Sequence, residues 1–273
     1  MKAGIQEMEI YDVFPVLKKH DTLYAGVFDS AEYPYVPAPP VRCNYYSAFL
    51  IVKGTGFIIT DNQEFAIQPG RVFTFNDRQV IGWSRYENTI GLVIACTAPV
   101  ALELRLRFNK PYADIPDDAI QYISSIFMEC VNEFRRNDTH TKQVLRAAIA
   151  YLNALFGRLS GAPDVHDELV TALRNKVCAD FSENHSVETI ASALHIHPKL
   201  LNERCVKCLG ITAKQYILDL KLTEAKRLLA FSSFNTAGIA SCTGFEDPSY
   251  FTRLFKKKTG LTPTAFKEKY QIK

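Results

Sequence analysis

The sequence predicts an α+β protein of more than one domain. A β-rich N-terminal region leads into two amphipathic helices, and an all-α C-terminal region carries an internal repeat. Three observations predict this. Short β-branched and aromatic runs, parted by turn residues, fill the first 110 or so positions. From Asp117 the apolar spacing changes to that of a helix. From residue 167 the helical pattern continues to the end, and one stretch of it occurs twice.

The β-region rests on YYSAFLIV (45–52), GFIIT (56–60), EFAI (64–67), RVFTF (71–75) and TIGLVIACT (89–97). Turn residues at Lys53-Gly54-Thr55-Gly56, Asp61-Asn62, Pro69-Gly70 and Asn76-Asp77 divide them, as in a sandwich or small barrel. Pro34, Pro37, Pro39 and Pro40 stiffen an extended arm ahead of these strands, and an ordinary surface loop accounts for it. Ile120, Ile123, Phe127, Cys130, Val131 and Phe134 make one helical stripe, and Leu145, Ile149, Leu152, Phe156 and Leu159 a second. Two readings of this pair are open, a dimer interface or packing against the strands. Ser160 to Asp164 has the composition of a linker. The boundaries are therefore 1–110 for the strands, 111–160 for the helix pair, 161–166 for the linker and 167–273 for the C-terminal domain.

Composition narrows the function. No run approaches the roughly 18 apolar residues of a membrane helix, and the N-terminus lacks a signal-peptide core. Seven scattered cysteines argue against a disulfide framework and for the reducing cytoplasm. Residues 167–273 carry 16 Lys/Arg against 11 Asp/Glu, a net +5, while residues 1–166 carry 16 against 18, a net −2. A basic C-terminal part suits a polyanionic partner such as double-stranded DNA.

The repeat gives this charge a scaffold. Asp247 and Pro248 are a good helix start, Phe251, Leu254 and Phe255 form an apolar stripe, and Gly260 with Pro263 ends the helix. A short helix around Ile239-Ala240 and a turn at Gly244-Phe245 precede it, which is the form of a helix-turn-helix. Ile190-Ala191-Ser192 matches Ile239-Ala240-Ser241, Leu201 lies as far from Gly210 as Phe251 from Gly260, and Gly210-Ile211-Thr212 matches Gly260-Leu261-Thr262. The second turn is one residue longer. Between the copies, Ala213 to Phe231 reads as one continuous spacer helix.

The pair of units, with GFEDPSYFTRLFKKKTGLTPTAF as the second and LKLTEAKRLL in the spacer, resembles the AraC/XylS family of bacterial transcriptional regulators over about 168–271. The resemblance implies helix-turn-helix units at about 187–208 and 236–258, with recognition helices at 198–207 and 248–258. It implies base contacts from Lys199, Asn202 and Glu203 in the first and from Ser249, Thr252 and Arg253 in the second. Their chemistry suits adenine, guanine and cytosine edges. Arg204, Lys207, Lys256 and Lys257 suit phosphates, which position rather than specify. Lys221 stands where relatives usually have Arg, keeping the charge without the planar fork. Cys205 and Cys208 have a Cys-x-x-Cys spacing, but Cys205 takes the buried place of Phe255, so core packing is the expectation. Gly238, inside a short helix, has no evident purpose in the sequence.

The strands also carry a resemblance. VKGTGFIIT, EFAIQPGRVFTF and RQVIGW are similar to the cupin-like barrel of sensor domains. The six histidines, at 20, 140, 166, 185, 195 and 197, all lie outside 45–97, so no metal site and no cofactor is expected in the barrel. Arg42, Tyr45, Phe49, Trp83 and Arg85 are the candidate lining for a small-molecule effector, and plain core filling is the rival reading. The resemblance implies a homodimer, with RNA polymerase as a further partner. The rival functions are a cupin-type enzyme with a helical appendage and a dimeric regulator without an effector.

Overall fold

A computed structural model describes residues 5–19, 21–31, 41–61, 63–106, 108, 110–159 and 167–270. The proline arm at 34–40, Asn62 of the second expected turn and the linker at 160–166 lie outside the described residues. The chain divides into two compact units, 6–164 and 165–273, with residues 1–5 counted to the second.

In chain order the first unit contains β1 (Glu7–Met8), α1 (Ile10–Val13), β2 (Leu23–Asp29), β3 (Val41–Cys43), β4 (Tyr45–Thr60), β5 (Gln63–Ala66), β6 (Arg71–Phe75) and β7 (Val80–Thr97). It closes with α2 (Ala98–Glu103), β8 (Tyr112–Asp114), α3 (Asp117–Arg136) and α4 (Thr141–Leu159). The strands form one eight-stranded sheet in the order β1-β3-β7-β4-β6-β8, with β2 added to β7 and β5 to β4. Among the described residues only β1 and β3 pair in parallel.

Two strands are longer than their sequence suggests. Lys53-Gly54-Thr55-Gly56 is not a turn: β4 runs through it, opposite β7, with register shifts between Ile51 and Phe57. Gly54 and Gly56 take φ values of 119° and 130°, which any other residue strains to adopt. At Gly54 a Cβ would also meet the Thr89 Cα at 2.5 Å. The glycines therefore bulge and bend a continuous ladder rather than end it. β7 likewise begins at Val80, not at Thr89. β8 places the last strand beyond residue 110, because Arg71 binds Asp114 through Nε and Nη2, at 2.6 and 2.9 Å, and lies 3.9 Å over the Tyr112 ring.

Alternation along the long strands makes two cores. Ala48, Leu50, Leu92, Ile94 and Cys96 face Ile123, Phe127, Leu145, Leu152 and Phe156 of α3 and α4. The helix pair thus covers the sheet, as the packing reading expects. Tyr45, Phe49, Ile51, Val93 and Ala95 face the opposite way with Tyr24, Phe73 and Phe75. The turn between α3 and α4 is fixed by the buried Glu133, which accepts from the Thr141 hydroxyl at 3.0 Å and from Arg136 at 2.6 Å.

The second unit contains α5 (Glu168–Ala179), α6 (Val187–Ala193), α7 (Pro198–Leu209), α8 (Ala213–Phe231), α9 (Thr236–Cys242), α10 (Pro248–Thr259) and α11 (Pro263–Tyr270). α8 is the expected unbroken spacer, and it serves two cores. Tyr216 and Ile217 pack with Val170, Leu173, Ile190, Leu201 and Cys205. Leu222, Ala225, Leu228 and Leu229 pack with Ile239, Phe251, Phe255 and Phe266. Among the described residues no helix is long and apolar enough to cross a membrane.

Candidate nucleic-acid interface and sheet cavity

Each helix-turn-helix is defined by its caps. Ser186 caps α6 by accepting from the Thr189 amide at 3.0 Å, and Asn235 caps α9 by accepting from the Gly238 amide at 2.8 Å. That bond is the place of Gly238, where a Cβ would approach the Asn235 oxygen to 3.2 Å. His197 and Asp247 cap α7 and α10, each followed by proline. Gly210 and Gly260 end these helices in the left-handed conformation. The turns use equivalent left-handed residues of different type, His195 (φ 55°) and Gly244 (φ 66°).

The equivalent buried pairs are Leu201/Cys205 and Phe251/Phe255, all fully buried. Cys205 is core, as expected, and burial pushes its thiol up to about 11. Among the described residues no group of three His, Cys, Asp or Glu gathers as a metal site would.

Opposite the buried stripes, α7 exposes Lys199, Glu203 and Lys207, and α10 exposes Ser249, Arg253, Lys256 and Lys257. Lys199 and Glu203 approach to 3.9 Å across one helical turn, and Arg253 lies 3.9 Å from Asp247. Their side chains are well exposed, so these pairs are loose and exchangeable with another partner.

Three expected contacts have partners within the protein. Asn202 turns to the start of α8, where its carbonyl oxygen accepts from the Ala213 amide at 3.1 Å, satisfying a free helix N-terminal donor. Arg204 lies 3.4 Å from Asp167, the N-cap of α5, and its side chain stays exposed. The Thr252 hydroxyl donates to the Pro248 carbonyl at 2.9 Å within its own helix. Two exposed side chains were not expected at all. Tyr250 on α10 is 50% exposed and Val206 on α7 46%. Each adjoins a buried residue and is off the apolar stripe, the only signal the sequence offers for them.

Lys221 joins the two units. Its ammonium is buried and donates to the Glu183 carbonyl at 3.0 Å and the Gly244 carbonyl at 3.1 Å. Glu183 precedes α6, and Gly244 is the turn between α9 and α10. Burial pulls the ammonium below the ordinary lysine value. A Cβ on Gly244 would meet the Glu183 oxygen and the Lys221 nitrogen, both at 2.6 Å. Asn184 adds a bond to Glu246 at 3.0 Å.

The first unit holds a cavity of about 700 Å³, its open mouth included. Tyr45, Phe49 and Trp83 line it, with Tyr24, Phe28, Ser47 and others. Arg42 does not line it. It is buried, donates to the Arg78 carbonyl at 3.3 Å, and lies 3.9 Å from Glu7. The side chain of Arg85 is outside the described residues. Tyr24 and Phe28 lie on β2, a strand the turn signals alone did not mark.

A helix-turn-helix domain family matches residues 190–269. The chain is 34% identical over 88 residues to an uncharacterized HTH-type transcriptional regulator, YisR, of Bacillus subtilis, covering 32% of this chain and 31% of that protein. The chain thus spans less than a third of that relative's length. It is 23% identical over 244 residues to the arabinose operon regulatory protein of Escherichia coli, covering 84% of this chain and 82% of that one. The structure of ToxT from Vibrio cholerae aligns with a TM-score of 0.44 at 15% identity, over 91% of this chain and 98% of that chain.

Proposed function

We propose that the chain, similar over 190–269 to a helix-turn-helix domain family and over most of its length to the arabinose operon regulatory protein, is a transcriptional regulator of the AraC/XylS family that binds two successive major-groove segments of double-stranded DNA. One observation carries the reading: two capped helices of equivalent construction, docked on one spacer helix, both present basic faces. In this reading Lys199, Glu203, Ser249 and Arg253 meet base edges, with Tyr250 available to thymine methyls. Lys207, Lys256 and Lys257 meet phosphates. Asn202 and the Thr252 hydroxyl, already engaged, leave the contact set, and the exposed Arg204 stays with the phosphate contacts.

The 6–164 unit is read as the controlling part, with an effector in the sheet cavity. A homodimer contact is assigned to the outer face of α3 and α4, where exposed Tyr122 and Tyr151 join hydroxyls at 2.7 Å. RNA polymerase is the further partner that regulation of transcription requires. Seven free cysteines suit the cytoplasm.

Selection of bound sequences from random DNA gives the site and its half-site spacing. On that site, Arg253→Ala is expected to cost about 1–3 kcal/mol and relax one base position. Lys257→Ala is expected to weaken all sequences alike and to reduce the salt slope by about 1. Equal losses on selected and random DNA for both variants would remove the base-reading role from Arg253.

A further inference from the structure

The cavity of the 6–164 unit has a marked chemistry. One set of rings, Phe14, Tyr24 and Tyr45, includes a stacked pair at 4.0 Å and an edge contact at 6.0 Å. Another, Phe28, Phe49 and Trp83, has centroid distances of 5.0 to 5.3 Å. Among the described residues lining the cavity no side chain is charged. The polar groups are the hydroxyls of Tyr24, Tyr45 and Ser47, the indole N–H of Trp83 and the thiol of Cys43. Cys43 and Tyr45 are buried and hydrogen-bonded to each other; burial pushes the thiol up to about 12 and the phenol well above its ordinary value, so both stay neutral near pH 7. Arg42, the cation expected here, is committed to the Arg78 carbonyl.

The cavity is concave and lined chiefly by apolar and aromatic side chains, as small-molecule sites are. A carboxylate entering it would lose its hydration without gaining a counter-ion from this lining. A sugar would bring several hydroxyls, each needing partners, to a wall of mostly ring faces. A flat apolar body with one or two neutral polar groups meets both limits: its faces stack on the rings, and its polar group reaches a phenol or the serine. Resting on the effector reading above, we propose that the effector is an uncharged aromatic or alicyclic molecule with one or two hydroxyl or carbonyl groups, rather than a sugar or an organic acid.

Trp83 is the single tryptophan of the chain, so its fluorescence reports this cavity and nothing else. The full-length protein is titrated at pH 7 with para-phenylphenol, para-phenylbenzoate and L-arabinose, by calorimetry and by Trp83 emission. The phenol is expected to bind and quench Trp83, with the benzoate and the sugar at least tenfold weaker. Val27→Trp, which fills the cavity, is expected to weaken the phenol at least tenfold, and Phe49→Ala is the second variant should the first not fold. Trp83→Phe keeps the calorimetric binding and loses the optical signal. Benzoate or arabinose bound as tightly as the phenol, with Trp83 quenched, would overturn the chemical class and leave the effector reading standing. Benzoate binding that depended on Arg85, tested with Arg85→Ala, would do the same. Absence of binding by all three probes, or binding indifferent to both cavity variants, would overturn the effector reading along with the proposal.

Discussion

Equivalent positions of the repeat call for opposite residues. His195 holds a left-handed φ at an exposed turn, and its side chain gains little there. Replacing it with glycine removes backbone strain but widens the unfolded ensemble, so His195→Gly is expected to change stability by between zero and about +1 kcal/mol. Gly244 has the same φ sign but sits against the Glu183 and Phe181 carbonyls. Gly244→Ala is expected to cost more than about 2 kcal/mol, from the left-handed backbone and overpacking together. Denaturant titration of both variants checks the pair. A Gly244→Ala protein as stable as its parent would mean the two turns do not meet as described. The glycine itself was legible in the sequence as a turn. Its crowding was not, because the crowding atoms come from residues some 60 positions away, across the repeat.

At the scale of elements, α8 and the Lys221 ammonium do different work. The helix sets the separation of the two units through its two cores. The ammonium ties the approach to α6 and the α9–α10 turn to the same point on α8. Lys221→Met removes the donor of the Gly244 carbonyl and one of two donors of the Glu183 carbonyl, which keeps the His185 amide at 2.9 Å, and is expected to cost about 1–3 kcal/mol. It is also expected to weaken binding to the full selected site more than to either half-site, since each unit keeps its own core. Lys221→Arg restores donors and should recover most of the loss. Band shifts on full and half sites, beside denaturant curves, make the test. A loss shared equally by full and half sites would make Lys221 a matter of stability alone. The spacer was legible as an unbroken apolar pattern. The role of Lys221 was not, because a lysine facing two carbonyls looks in sequence like any lysine on a helix.

Across the whole molecule, two units with separate cores need not unfold together. Asp114 offers a probe of one of them. The Arg71 guanidinium beside it holds its carboxyl below the usual carboxylate range. A lowered folded value means that the stabilisation is complete above the unfolded value, near pH 4, and is lost as pH falls through the folded one. Asp114 is about half exposed, so screening keeps the effect below about 1 kcal/mol. Asp114→Asn is therefore expected to lower the melting point of the 6–164 unit slightly at pH 7 and to match the parent at pH 2. Calorimetry over that range decides it. A difference that grew as pH fell would show that the pair does not stabilise the fold.

By itself the sequence determined the two-part layout, the duplicated helix-turn-helix, its caps and its spacer. All of these are encoded within a few residues of where they act, in caps, glycines and periodicity. Only the tertiary structure decided that the Lys53–Gly56 stretch is a bulge within β4, since a positive-φ glycine can turn a chain or bend a ladder and the partner strand selects which. It also drew Asn202 away from the outer face, because the Ala213 amide competes for it. It turned a set of aromatic residues into a cavity with no charged side chain among its described lining residues, by bringing β2 alongside β7. Chemistry set by neighbours distant in the chain is invisible to spacing, and the contacts most particular to this protein are of that kind.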